Sequence, residues 1–79
     1  MITEKRKRYR SATADLSLRD AIVYLLREER AMKISILIQL LQAETLTEEM
    51  IRAEVKSLSL QGTISYDTLY SQVQYENLG

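Results

Sequence analysis

The chain has 79 residues, with 11 basic and 11 acidic side chains, and contains neither cysteine nor histidine. Its length fits one small domain with a modest hydrophobic core. The two missing residue types exclude disulfides, the commonest metal sites and catalysis by Ser-His-Asp or Cys-His groups. We therefore expect no enzyme, no metal and no cofactor, and the lack of cysteine favours a cytoplasmic location.

No segment has the pattern of a membrane span, a secretory signal or a phosphate-binding loop. No apolar run approaches the roughly 20 residues of a membrane-spanning helix, so we expect no membrane partner. The basic N-terminus is not followed by an apolar region, which a secretory signal requires. Two glycines in the whole chain are too few for a glycine-rich phosphate loop.

The zero net charge conceals an asymmetry. Residues 1–10 carry five cations against one glutamate, a net charge of +4, whereas residues 11–79 carry six basic and ten acidic groups, a net charge of −4. The five cations are Lys5, Arg6, Lys7, Arg8 and Arg10. Because residues 1–14 are dense in charge and lack apolar periodicity, we predict a flexible basic arm there and a folded domain over residues 15–79. Such an arm suits phosphate binding, although a merely solubilising tail is an equal alternative.

The first strong helical pattern follows Ser17. Ser17 and Asp20 have the spacing of an N-cap and its third helical residue, and the helix should end near Arg30, where cations suit its negative end. Its expected buried stripe consists of Leu18, Ala21, Ile22, Leu25 and Leu26.

The next stretch, residues 32–41, is ambiguous. Its apolar residues alternate as in a strand at first and fit a helix from Leu37 onward, so a single longer strand over residues 32–38 is an alternative.

The clearest pattern lies in residues 47–75. Ile51, Val55 and Leu58 share one helical stripe, and Thr47 can cap the helix at its start. Gly62 stands where a helix end favours a residue that tolerates positive φ. Two alternating segments follow, around a polar turn, and predict a β-hairpin. Their inward-facing residues are Ile64, Tyr66, Val73 and Tyr75.

The pattern Val55-x-x-Leu58-x-x-x-Gly62-x-Ile64, between a helix and a hairpin, resembles the winged helix-turn-helix family over residues 17–75. The resemblance implies a mainly α fold with a small β-hairpin, in the order helix, strand, helix, helix, strand, strand. It suggests a short strand at residues 32–34, a helix capped by Ser35, and a turn in which Leu46 fills the angle between two helices. The expected core is Leu18, Ile22, Leu25, Leu26, Ile34, Leu37, Leu41, Ile51, Val55, Leu58, Ile64 and Val73.

Winged helices usually bind DNA, so the resemblance implies a transcriptional regulator that contacts duplex DNA with the helix after Thr47. On its exposed face, Arg52 can donate two hydrogen bonds to guanine and Lys56 can contact phosphate. The alternative is a solvated face on which Glu48 and Arg52 form an i,i+4 pair. The candidate DNA contacts are Lys5, Arg6, Lys7, Arg8, Arg10, Lys33, Ser35, Thr47, Arg52 and Lys56.

A protein-interaction module is the second hypothesis, because residues 63–79 contain no lysine or arginine. Leu69 and Tyr70 at the hairpin turn have little core to fill and could anchor a partner. Ile36, Ile38 and Leu40 exceed what a small domain is expected to bury, so we predict a homodimer whose seam includes Ile36 and Ile38. The basic arm and the resemblance rank DNA binding slightly ahead.

Overall fold

The computed structural model describes residues 2–76, with side chains described from residue 4, and within that range the fold is mainly helical with a small antiparallel sheet. Met1 and residues 77–79, which belong to the predicted arm and domain, lie outside the described residues. The helices are α1 (Ile2–Thr13), α2 (Leu18–Glu29), α3 (Ile34–Leu41) and α4 (Glu48–Leu60). The strands are β1 (Ala31–Lys33), β2 (Ile64–Asp67) and β3 (Gln72–Tyr75), in the spatial order β1-β3-β2.

The predicted flexible arm is wrong, because residues 2–13 form helix α1, which packs on α3 and α2. Tyr9 inserts into the core and is only 1% exposed. Its ring meets that of Tyr24 edge to face, with the centroids 6.2 Å apart, a favoured aromatic geometry. The arm thus contributes a core residue, which a test for apolar periodicity could not detect from a single tyrosine.

Helix α2 begins and ends as predicted. The hydroxyl of Ser17 accepts a hydrogen bond from the Asp20 amide at 3.2 Å, and the helix ends at Glu29. Arg30 follows with a positive φ of 71° and donates its amide to the Leu26 carbonyl at 2.7 Å. This left-handed residue turns the chain from helix into strand, at a steric cost that residues other than glycine incur.

The ambiguous stretch divides into strand β1 and helix α3, so the alternative of one long strand is wrong. The expected cap at Ser35 is wrong as well, because α3 begins at Ile34, two residues before the start that a cap at Ser35 would give. Lys33 occupies the N-cap position, and its side chain makes no capping hydrogen bond to the first turn of α3. The Ile34 amide instead donates to the Ser71 carbonyl at 2.8 Å, so the hairpin turn satisfies a free amide at the start of α3.

Helix α4 and its end follow the prediction closely. The Thr47 hydroxyl accepts from the Met50 amide at 3.3 Å, and Ile51, Val55 and Leu58 are fully buried. Gly62 has a φ of 81°. The amides of Gly62 and Thr63 donate to the carbonyls of Ser59 and Leu58, each at 3.1 Å. This pair of bonds is the Schellman arrangement that ends a helix at a glycine.

The hairpin closes the core from one side. Strand β3 pairs with both neighbours, with Val73 opposite Met32 of β1 and Tyr66 of β2. Ile64 and Val73 are buried, while Tyr66 and Tyr75 are partly buried and pack against the core. In the turn between α3 and α4, Ala43 and Leu46 exchange backbone hydrogen bonds of 3.0 and 3.1 Å, and Leu46 packs against the core as expected.

Eleven of the twelve predicted core residues are buried, and Leu18 is partly buried against the core. The core also takes in Tyr9, Ala21, Ile38 and Leu40. The expectation that a small domain cannot bury the apolar excess of α3 is therefore wrong: Ile38 is 5% and Leu40 1% exposed. The dimer seam predicted from Ile36 and Ile38 loses Ile38, and Ile36 itself is partly buried. Dimerisation stays a prediction without that support.

Candidate nucleic-acid interface

The cations predicted as an arm lie on a folded helix that polar contacts hold in place. Near the start of α1, the Lys5 ammonium forms an ion pair with Glu29 at 2.6 Å. One turn apart, the guanidinium groups of Arg6 and Arg10 both donate to the Gln42 carbonyl, at 3.1 and 2.9 Å. Gln42 is the C-cap of α3, where free carbonyls and the negative end of the helix dipole attract cations. Helix α1 is thus tied to the ends of α2 and α3.

These contacts leave most of the charge of α1 uncompensated. A carbonyl is neutral, so Arg6 and Arg10 remain cationic while they hold Gln42. The ion pairs among the described side chains are Lys5–Glu29 and Glu48–Arg52, which means that only Lys5 of the five cations faces a carboxylate at short range. Arg6, Lys7, Arg8 and Arg10 are all exposed. Helix α1 therefore presents a positive surface in a fixed geometry.

Tyr9 and Arg8 show how the helix combines burial with charge. The Arg8 guanidinium lies 4.8 Å from the centroid of the Tyr9 ring and donates to the Tyr9 hydroxyl at 3.0 Å. That hydrogen bond raises the pKa of Arg8 above its usual value, and a guanidinium is charged at any physiological pH even without such a contact. Because successive helical residues are rotated by about 100°, Lys7 lies nearly opposite the buried Tyr9 and faces solvent.

The exposed face of α4 is less suited to DNA. Arg52 is held by Glu48 at 2.8 Å, the i,i+4 pair that was the alternative to base recognition. The hydrogen bond to Glu48 raises the pKa of Arg52 and places a negative charge beside the side chain that would read guanine. Thr47 is engaged as the helix cap. Lys56 is exposed, but so are Glu48 and Glu49 at the start of the same helix.

Lys33 and Ser35, the remaining candidates, lie beside the hairpin turn. The Lys33 ammonium donates to the Tyr70 carbonyl at 3.4 Å, and Ser35 is exposed in the first turn of α3. Lys33 therefore links β1 to the turn between β2 and β3. This contact is to a neutral carbonyl oxygen, and it engages one of the three N–H donors of the ammonium group.

The tip of the hairpin, residues 68–71, is an ordered turn that exposes apolar side chains. The Asp67 carboxylate accepts hydrogen bonds from the amides of Leu69 and Tyr70, at 3.0 and 3.3 Å. This local pairing fixes the turn. Leu69 is 81% and Tyr70 63% exposed. The structure thus confirms that Leu69 and Tyr70 do not fill the core. The acidic residue of the turn, Asp67, accepts hydrogen bonds from the backbone.

The comparisons with known proteins add no family to this geometry. The chain matches no family model, no curated protein and no solved structure. Among residues 2–76, no group of three acidic side chains is placed to hold a metal ion. Across the same residues, every helix is too short or too polar to cross a membrane.

Two residues that matter for this surface were missed from the sequence. Tyr9 anchors α1 in the core, and the main-chain carbonyl of Gln42 receives two arginines. The i,i+4 spacing of Arg6 and Arg10 was a usable signal, because such residues lie on one side of a helix and can reach a common partner. A backbone acceptor, by contrast, has no signature in the sequence.

Proposed function

We propose that the chain is a winged helix-turn-helix domain that binds duplex DNA and acts as a transcriptional regulator. The order of elements from α2 to β3 and the sheet order β1-β3-β2 support the winged-helix assignment. The observation that carries DNA binding is the ordered basic surface of α1, which Arg6 and Arg10 attach to Gln42. Gln42 begins the turn into α4, so the basic helix and the proposed recognition helix adjoin the same turn.

In this proposal the two helices have different tasks. The cations of α1 contact phosphates and supply affinity that does not depend on sequence, through release of counterions. The exposed face of α4 lies in the major groove, where Arg52 can exchange its exposed partner Glu48 for a guanine edge. The exchange is inexpensive, because exposed ion pairs contribute little to stability. Phosphate contacts therefore position the protein, and Arg52 gives it sequence preference.

The test is the salt dependence of binding to a fluorescent duplex. The double variant Lys7→Gln with Arg8→Gln removes two cations from α1. Each lost phosphate contact should change the slope of log affinity against log salt by about 0.9. The matched control, Arg19→Gln with Arg27→Gln, removes two exposed cations from α2. Equal slopes for the two double variants, with both folded by circular dichroism, would refute a phosphate-binding role of α1.

A protein-binding role is the second proposal, and the exposed hairpin tip favours it. Leu69 and Tyr70 form an exposed pair on a turn whose backbone amides donate to Asp67, and aromatic residues of this kind often anchor interfaces. A photo-reactive amino acid at position 70 should crosslink one discrete partner, and Leu69→Asp should abolish that product. The same probe at Leu60, which is 80% exposed on α4, is the control. Identical products from positions 60 and 70 would contradict a specific role of the tip.

A further inference from the structure

A groove of about 360 Å³ opens where the end of α1, the start of α2, the end of α3 and the following turn meet. Its main apolar lining is Leu16, Leu18, Leu40, Leu41 and Leu46. Small alanine and threonine side chains complete the wall, and Arg10 also belongs to the lining. The lining is thus mixed, with five leucines and the polar side chains of Arg10, Thr13 and Thr45, and a volume of this size that combines apolar walls with a few polar groups is typical of small-molecule sites.

The position of Arg10 determines which chemical class fits. Its guanidinium is fixed by one hydrogen bond to the neutral Gln42 carbonyl, at 2.9 Å. A guanidinium has five N–H donors, so several remain for another acceptor. Since the ion pairs among residues 4–76 do not include Arg10, its charge is uncompensated at short range. A carboxylate is the group that matches this fork in both shape and charge.

We propose that this groove binds a small alkyl carboxylate, with its chain on the leucine lining and its carboxylate on Arg10. The charge complementarity favours an acid over an alcohol or an amine of the same length. Leu16 is 40% exposed at the groove, so a bound alkyl chain would cover apolar surface that water now contacts, which is favourable. This site shares Arg10 with the proposed phosphate-binding surface of α1 but is separate from the exposed face of α4, and octanoate binding can be measured without DNA.

Octanoate, octanol and octylamine are suitable probes, because they share one chain length and differ in charge. Titration into the ¹⁵N-labelled full chain should shift the backbone amides of Ala14, Leu16, Ala43 and Leu46 saturably. For a ligand of the size of octanoate, we expect a dissociation constant on the order of 1 mM or below. Octanol should bind about tenfold more weakly, since it lacks the charged hydrogen bond, and octylamine more weakly still.

Two variants locate the binding determinants, and each has a matched control. Arg10→Gln should weaken octanoate binding about tenfold and leave octanol binding unchanged, while Arg27→Gln, an exposed cation on α2, should change neither. Leu16→Asp should weaken both ligands, because it places a carboxylate in the apolar lining. Leu60→Asp, at a residue 80% exposed outside the groove, should have no effect. The amide spectra of the free variants show whether each one keeps the native fold.

Three results would contradict the proposed carboxylate site. Absence of saturable shifts at the groove with octanoate would overturn the site. Equal affinities for octanoate and octanol, or an equal response of both to Arg10→Gln, would overturn the role of the carboxylate. A concentration-dependent dimer that Leu16→Asp dissociates would assign the groove to a second copy of the chain instead, and sedimentation of the ligand-free protein measures it.

Discussion

Helices α1 and α4 both expose arginines, but they are held in the fold by different forces and carry their charge differently. Helix α4 buries Ile51, Val55 and Leu58 completely. Helix α1, over its described side chains, buries only Tyr9 and otherwise relies on polar contacts with Glu29 and Gln42. An apolar stripe stabilises a helix far more than exposed polar contacts do. We infer that α4 is part of the cooperative core and that α1 can detach from it.

The availability of positive charge on the two helices follows the opposite order to the strength of their packing. Arg52 on α4 faces a carboxylate at 2.8 Å, whereas Arg6 and Arg10 on α1 face a neutral carbonyl. The more weakly held helix therefore has the more available positive charge. A polyanion that binds α1 would meet cations already positioned by the fold, and little side-chain entropy would remain to be lost. The following experiments test this contrast.

The largest effect is expected for Leu58→Ala in α4. Deletion of a fully buried leucine removes apolar contacts and leaves a cavity, which should lower the free energy of unfolding by about 2–5 kcal/mol. Denaturant titration measures the change. Leu60→Ala, two residues further along and 80% exposed, is the control and should change stability by less than about 0.5 kcal/mol. Equal losses would show that the buried face of α4 is assigned wrongly.

Tyr9→Ala in α1 should have a smaller effect that is confined to one region. Because the rest of the core remains intact when α1 opens, we expect a loss of about 1–3 kcal/mol, expressed as local rather than global unfolding. Hydrogen exchange should show amides of α1 losing protection while those of α4 keep theirs. Opening would also uncover the side of α3 on which α1 packs, so the variant should self-associate in sedimentation more than the wild type. Uniform loss of protection in both helices would contradict the proposed independence of α1.

The sequence predicted the elements whose determinants are local. Three features of α4 could be predicted: its buried stripe, its cap at Thr47 and its end at Gly62. Each depends on an apolar periodicity, a capping residue or a glycine whose effect extends over only a few residues. Helix α1 could not be predicted from the sequence, since one tyrosine among charged residues forms no periodic pattern. The start of α3 at Ile34 was missed for a different reason. Its amide is satisfied by Ser71, 37 residues away in the chain, so the cap is a tertiary contact.

The same distinction between local and tertiary determinants applies to the candidate site. The exposed apolar tip at Leu69 and Tyr70 followed from the hairpin pattern alone, because residues at a turn between two strands point away from the core. The pairing of Arg52 with Glu48 followed from helical spacing. The arrangement of the α1 cations around Gln42 did not follow, because it depends on how α1 packs across the end of α3.

Gly62→Ala tests whether the end of α4 depends on backbone conformation as well as on burial. Gly62 has a φ of 81°, and a Cβ placed there would meet no atom within 4 Å. The substitution therefore introduces no clash with neighbouring residues, and its cost is that of a left-handed backbone, about 1–2 kcal/mol. Arg30→Gly, at a residue with a φ of 71°, is the reverse change and should leave stability equal or raised. Thermal unfolding of both variants measures the difference, and a neutral Gly62→Ala would show that the helix end relaxes freely.

The smallest effects are expected for the two ion pairs, which compare α1 and α4 directly. A double-mutant cycle on Lys5 and Glu29, with each residue changed to alanine, should give a coupling below about 1 kcal/mol. The Lys5 side chain is 51% exposed and that of Glu29 24%, against 46% and 51% for Arg52 and Glu48. Because Glu29 is better shielded from water, the coupling of Lys5 with Glu29 should exceed that of Arg52 with Glu48, and 1 M salt should reduce both. A larger coupling in the α4 pair would contradict the expected effect of shielding, and a coupling of zero between Lys5 and Glu29 would leave Tyr9 and the Gln42 carbonyl to hold α1 without that ion pair.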